Sequence, residues 1–147
     1  MDRRRGEQAQ VRQWLDDMTA ALDRRDLSTL QHELSNDIVL RLAGNSQLSG
    51  AYRGPGQVMG LVARTSDWAT VASIDFEPMP DDRLRLSVDV QGERRFADAR
   101  LRVEEMIRFD DLGKVSEAEV WSDDQQVLDN FLDLVAAEPG LRPSSES

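Results

Sequence analysis

Apolar positions recur along this chain with two different periods, and the switch between them marks out its elements. From Glu7 to Arg24, Val11, Trp14, Leu15, Met18 and Leu22 fall at helical spacing, and Leu27, Leu30 and Leu34 extend the stripe into a second, shorter helix. The period then shortens. "DIVLRLAG" is an apolar, β-branched run that predicts a strand, and "NSQLSGAYRGPG" follows it with Gly50, Gly54 and Gly56 for turn freedom and Pro55 suited to the first turn of a helix. Val58, Leu61 and Val62 face inward from that helix. Strands are predicted over 69–77, over 83–91 with Leu84, Leu86, Val88 and Val90 on one face, over 94–110, and, after the turn "DDLG", over 114–121. Ser122 and Gln125 have capping-box spacing before a closing helix in which Val127, Leu128, Phe131, Leu132 and Val135 share one side.

Helices first and a meander of long strands afterwards predict an α+β domain, with helices packed on the concave face of a curved antiparallel sheet. One domain over residues 7–136 is expected, with disordered tails at 1–6 and 137–147, the latter on the composition of "EPGLRPSSES". In the long strand, Ala97, Ala99, Leu101, Val103, Glu105, Ile107 and Phe109 lie on one face, and Asp98, Arg100, Arg102, Glu104, Met106 and Arg108 on the other. Glu105 thus interrupts an otherwise apolar face. A carboxyl group in such a wall loses hydration unless it is protonated, hydrogen-bonded or paired, and burial raises its pKa toward the range where it can give and take protons.

Composition narrows the classes. In 147 residues, 28 acidic against 18 basic side chains give a net charge of −10, which disfavours DNA and anionic membranes; Arg3, Arg4 and Arg5 form the one basic run. There is no cysteine and one histidine, His32, which falls toward the polar side of the second helix, so no metal centre is expected. The glycines have neither dinucleotide nor P-loop spacing. No apolar stretch is long enough for a membrane span and "MDRRRGEQAQ" has no apolar leader region, so a soluble cytoplasmic protein is expected.

The stretches "ALDRRDLSTLQHELSNDIVLRLAG", "LSGAYRGPGQVM" and "IRFDDLGKVSEAEVWSDD" resemble the signatures of the nuclear-transport-factor-2-like superfamily, in particular its SnoaL-like polyketide cyclase and ketosteroid isomerase branch, over residues 11–135. The resemblance implies a cone-shaped, cystatin-like α+β barrel that is usually a homodimer and holds a small hydrophobic organic ligand without a metal or an organic cofactor. The superfamily also has non-catalytic members. Position by position, the general-base Asp of the isomerases matches Arg41, their oxyanion Tyr falls on Met18, and their second oxyanion acid falls on Glu105. The histidine that SnoaL-like cyclases often carry also matches Arg41. The same alignment points Val115, Glu117, Glu119 and Trp121 toward the cavity, with Ala118 and Val120 as the inward set if a bulge intervenes.

Glu105, Arg41 and Glu119 are therefore the candidate catalytic residues, and Trp14, Met18, Tyr52, Trp68, Val103, Ile107, Glu117 and Trp121 the candidate pocket lining. Enolisation, aldol closure, dehydration and epoxide opening each need a proton moved in a site shielded from water, which one tuned carboxyl beside a cation can do. Two readings stay open for the pair: Arg41 holds a developing oxyanion near the acid Glu105, or the two side chains simply pair. For the whole chain, a cofactor-independent cyclase, isomerase, dehydratase or epoxide hydrolase stands against a binding or dimerisation module of the same shape. An open cavity floored by Glu105 and a cation marks the first; a cavity plugged by Met18, Trp14 and Trp121 marks the second.

Overall fold

Alternation decides the central strands. A computed structural model of the protein describes residues 2–138, with side chains from Gln8 onward. In it Leu84, Leu86 and Val88 of β4 (Arg83–Gly92) are buried on one face, while Arg85 and Asp89 are turned to the other. The element order is α1 (Asp2–Asp23), α2 (Leu27–His32), β1 (Leu34–Leu42), β2 (Gly50–Arg53), α3 (Gly54–Ser66), β3 (Ala69–Met79), β4, β5 (Arg100–Phe109), β6 (Val115–Trp121) and α4 (Gln125–Ala137), with a 3-10 turn at Arg94–Phe96. The six strands form one sheet in the order β2-β1-β6-β5-β4-β3. Its register shifts at Leu34/Val39, Val71/Ser73 and Arg108/Phe109 bend the strands around the helical layer. Both edges are blunted: β2 has only four residues and β3 carries Pro78 near its end.

Several expectations are adjusted. The sheet is not wholly antiparallel, because β1 and β6 run parallel, with Leu40 opposite Ala118 and Arg41 opposite Glu119. That pairing joins strands more than 70 residues apart in the chain, and no local pattern announces it. Helix α1 starts at Asp2, inside the segment expected as a tail, and of the expected C-terminal tail residues 139–147 lie outside the described residues. The strand predicted over 94–110 begins only at Arg100, after the 3-10 turn. Leu34 opens β1 instead of closing α2, and "GAYR" is a short strand. Half of the capping box forms: Gln125 Oε1 accepts the Ser122 N–H at 3.0 Å, but Asp124 is the N-cap and accepts from the Val127 N–H.

The core lies between the sheet and the helices. Leu15 of α1, Val58 of α3 and Leu128, Phe131, Leu132 and Val135 of α4 pack with Ile38, Leu40, Leu42, Leu101, Ile107 and Ala118 from the strands. Edge-to-face aromatic contacts link Trp14 to Phe109 at 5.4 Å and Trp68 to Phe96 at 5.5 Å. No helix among the described residues is long and apolar enough to cross a membrane.

Candidate functional site

The core does not fill the space between the layers. A cavity of about 220 Å³ is walled by α1, α2 and α3 on one side and by the sheet on the other; Trp14, Met18, Leu40, Ile107 and Ala118 are among its lining residues. A second cavity, of about 240 Å³, adjoins it and is lined by Val103, Leu101, Val120 and Phe131; Leu22, Leu40, Val62 and Val71 face both. These walls are apolar because inward positions of β1, β4, β5 and β6 alternate with outward polar ones.

Glu105 projects into the first cavity from the middle of β5, where its neighbours across the sheet are Leu86 and Val120. Its carboxyl has no hydrogen bond or ion pair among the described residues, and burial alone pushes its pKa up from 4.5 to about 7. The adjacent Glu104 shows what a compensated carboxylate looks like: buried on the opposite face, it accepts from the Ser87 hydroxyl at 2.8 Å and from Arg85 at 3.1 Å. The two neighbouring glutamates are thus set in opposite environments by the pleat alone.

A second carboxyl group reaches the same cavity. Glu33, the C-cap of α2, accepts the Trp14 indole N–H on Oε1 at 2.7 Å. Sequence reasoning does not find it, because Trp14 and Glu33 are 19 residues apart and meet only through the packing of α1 on α2.

The structure brings Glu105, Trp14, Met18 and Ile107 to one cavity, and places Val103 in the adjoining one. The other candidates are elsewhere. Arg41 is exposed on the outer face of β1, between Ala51 and Glu119 in register, so it neither pairs with Glu105 nor faces the cavity. Glu117 and Glu119 are exposed on the outer face of β6, Glu117 within 3.5 Å of Arg108, and Trp121 lies there too beneath the Arg85 guanidinium. The cause is a bulge: Arg108 pairs with Glu117 but Phe109 with Val115, so the inward parity changes from Val115 to Ala118 and Val120. Tyr52 donates its hydroxyl to the Leu48 carbonyl, outside both cavities, and Trp68 is a buried core residue against Phe96. His32 is exposed, as its helical offset predicts. Among the described residues no cluster of three or more His, Cys, Asp or Glu could hold a metal ion.

No protein-family model matches the chain, and no curated protein does. Solved structures match it well in shape. An NTF2-like protein of unknown function from Burkholderia pseudomallei is 18% identical with a TM-score of 0.65, covering 79% of this chain and 92% of its own. The chain has the NTF2-like fold. A protein from Rhodopseudomonas palustris that is provisionally named an isomerase is 15% identical, with a TM-score of 0.63 over 78% of this chain and 89% of its own. A protein from Sinorhizobium meliloti provisionally named a polyketide cyclase is 16% identical, with a TM-score of 0.56 over 69% of this chain and 86% of its own. At these identities the likeness is one of fold, so the NTF2-like scaffold says where a site is built and its residues must say what the site does.

Proposed function

We propose that this NTF2-like chain binds a small apolar organic molecule between its helices and its sheet and moves a proton on it with Glu105, the chemistry of a cofactor-independent isomerase or cyclase acting on a polyketide-like substrate. One observation carries the reading: a carboxyl group with no partner among the described residues, in an apolar cavity, with a pKa near 7. Such a group exists in both protonation states near neutrality, so it can remove a proton from carbon and return one to carbon or oxygen. The provisional names of the isomerase and cyclase neighbours support the same class.

The test uses 2-tetralone, an apolar ketone with acidic α-hydrogens, in D2O near neutral pD. The wild type should accelerate α-deuteration over buffer, and Glu105→Gln should lower that rate at least tenfold, about 1.4 kcal/mol in barrier. Equal acceleration by both proteins overturns the assignment. A second reading, ligand binding without turnover, is favoured by the absence of Lys, Arg and His from the cavity lining among the described residues, which leaves no cationic group to stabilise an oxyanion. Saturable binding of 2-tetralone with no exchange above buffer selects it.

We also infer a homodimer formed through the outer face of the sheet, where Arg85, Arg102 and Arg108 alternate with Asp89 and Glu117 around the half-buried Trp121. Sedimentation at micromolar concentration should give about twice the 16.6 kDa chain mass, and a single species at the chain mass refutes it.

A further inference from the structure

The charge of the cavity restricts what can enter it. Among the described residues its lining includes two carboxyl groups, Glu105 from the sheet and Glu33 from the end of α2, and no Lys, Arg or His. The other polar heads are the Thr19 hydroxyl and the Trp14 indole N–H, and the indole is already donated to Glu33 Oε1 at 2.7 Å. Glu33 Oε2 has no partner among the described residues: Lys114 donates to the neighbouring His32 carbonyl at 2.5 Å and forms no ion pair with Glu33. A carboxylate oriented by one fixed donor, with its second oxygen left over beside an apolar wall, accepts a charge-assisted hydrogen bond from a ligand cation and repels a ligand anion. The indole hydrogen bond also fixes its orientation in advance, so little side-chain freedom is lost on binding.

From the binding role proposed above, we infer the substrate class: the site takes an apolar body bearing a protonated amine, which Glu33 receives as a specificity-determining residue, and rejects the same body bearing a carboxylate. The Thr19 hydroxyl and the Glu105 carboxyl can hydrogen-bond a neutral polar substituent, so an uncharged analogue falls between the two.

Three probes with one apolar body separate the possibilities: 3-phenylpropylamine, 3-phenylpropanol and 3-phenylpropanoate, titrated by calorimetry into the full chain at low ionic strength. The amine should bind at least tenfold more tightly than the acid, with the alcohol between them. Glu33→Gln keeps an oxygen to accept the Trp14 N–H but removes the charge, so at pH 5.5, where Glu105 keeps its proton, it should remove most of the preference of amine over alcohol and leave alcohol affinity within twofold. If that variant does not fold, the wild-type series remains decisive. Equal affinity for the three probes, or tighter binding of the acid, overturns the charge selection while leaving an apolar binding cavity standing. Failure of all three to bind at millimolar concentration overturns both the cavity reading and this one.

Discussion

A glutamate with a folded-state pKa of about 7 against an ordinary 4.5 affects stability in a way that depends on pH, and the direction is fixed. Below about pH 4.5 the side chain is protonated in the folded and unfolded chains alike and costs nothing by this route. As pH rises toward 7 the unfolded chain ionises while the fold retains the proton, so stability falls; above 7 the loss is complete, about 3 kcal/mol at about 1.4 kcal/mol per pKa unit. Glu105→Gln removes this dependence. Its stability relative to wild type should climb between pH 4.5 and 7 and level off above, measured by urea melts at pH 4, 5.5, 7 and 8. A difference that does not change with pH would mean that the carboxylate is compensated after all. The same residue shows what a sequence can disclose: Glu105 is legible because strand alternation places it on the apolar face without any tertiary information. Glu33 is not legible, since only helix packing gives it the Trp14 indole as a partner.

Among the elements, α4 is tied to the turn after β1 by carboxylates. Asp129 accepts from the Asn45 N–H at 3.0 Å and the Gln125 amide at 2.9 Å, and Asp133 accepts from the Gln47 N–H at 2.7 Å. This close approach requires Gly44, whose φ is +99° and at which a Cβ would overlap the Asp129 carboxylate. Gly44→Ala should therefore cost about 2 kcal/mol or more, through backbone strain and a disturbed buried hydrogen bond. Gly60, exposed in the middle of α3 with open space at its Cβ position, should respond oppositely, gaining up to about 1 kcal/mol as alanine from helix propensity. Chemical denaturation of the two variants checks both, and equal signs would refute the account of Gly44. Most element types were legible from periodicity, because each strand or helix hides one face of its own. Two features were not. The parallel β1–β6 pair is a long-range choice, and the bulge at Val115 and Ser116 is a one-residue shift that moves Glu117, Glu119 and Trp121 from the expected cavity wall to the outer face. Arg41 moved outward for a related reason: the buried run is Ile38, Leu40 and Leu42, so the intervening odd position cannot share their face.

At the scale of the whole molecule, a fold that keeps cavities of about 220 and 240 Å³ side by side in a chain of 147 residues has left packing energy unused, since protein interiors ordinarily close such spaces. Stability and ligand capacity then compete for the same volume. Val62 of α3 faces both cavities, so Val62→Leu adds one methylene where there is room for it and exchanges a β-branched residue for a better helix former. Burying that methylene is worth about 0.8 kcal/mol, which in a domain of this size raises the melting temperature by about 2–4 °C. The added group narrows the region that the two cavities share, so 3-phenylpropanol should bind the variant more weakly than the wild type even as the fold becomes more stable. Scanning calorimetry with and without the alcohol measures both quantities on one sample, because a ligand at free concentration c that binds only the folded chain stabilises it by RT ln(1 + c/Kd) and raises its melting temperature accordingly. A variant that melts lower than the wild type would show that the added methylene does not fit there, and one that binds the alcohol as tightly or more tightly would show that the space around Val62 is not where the ligand resides.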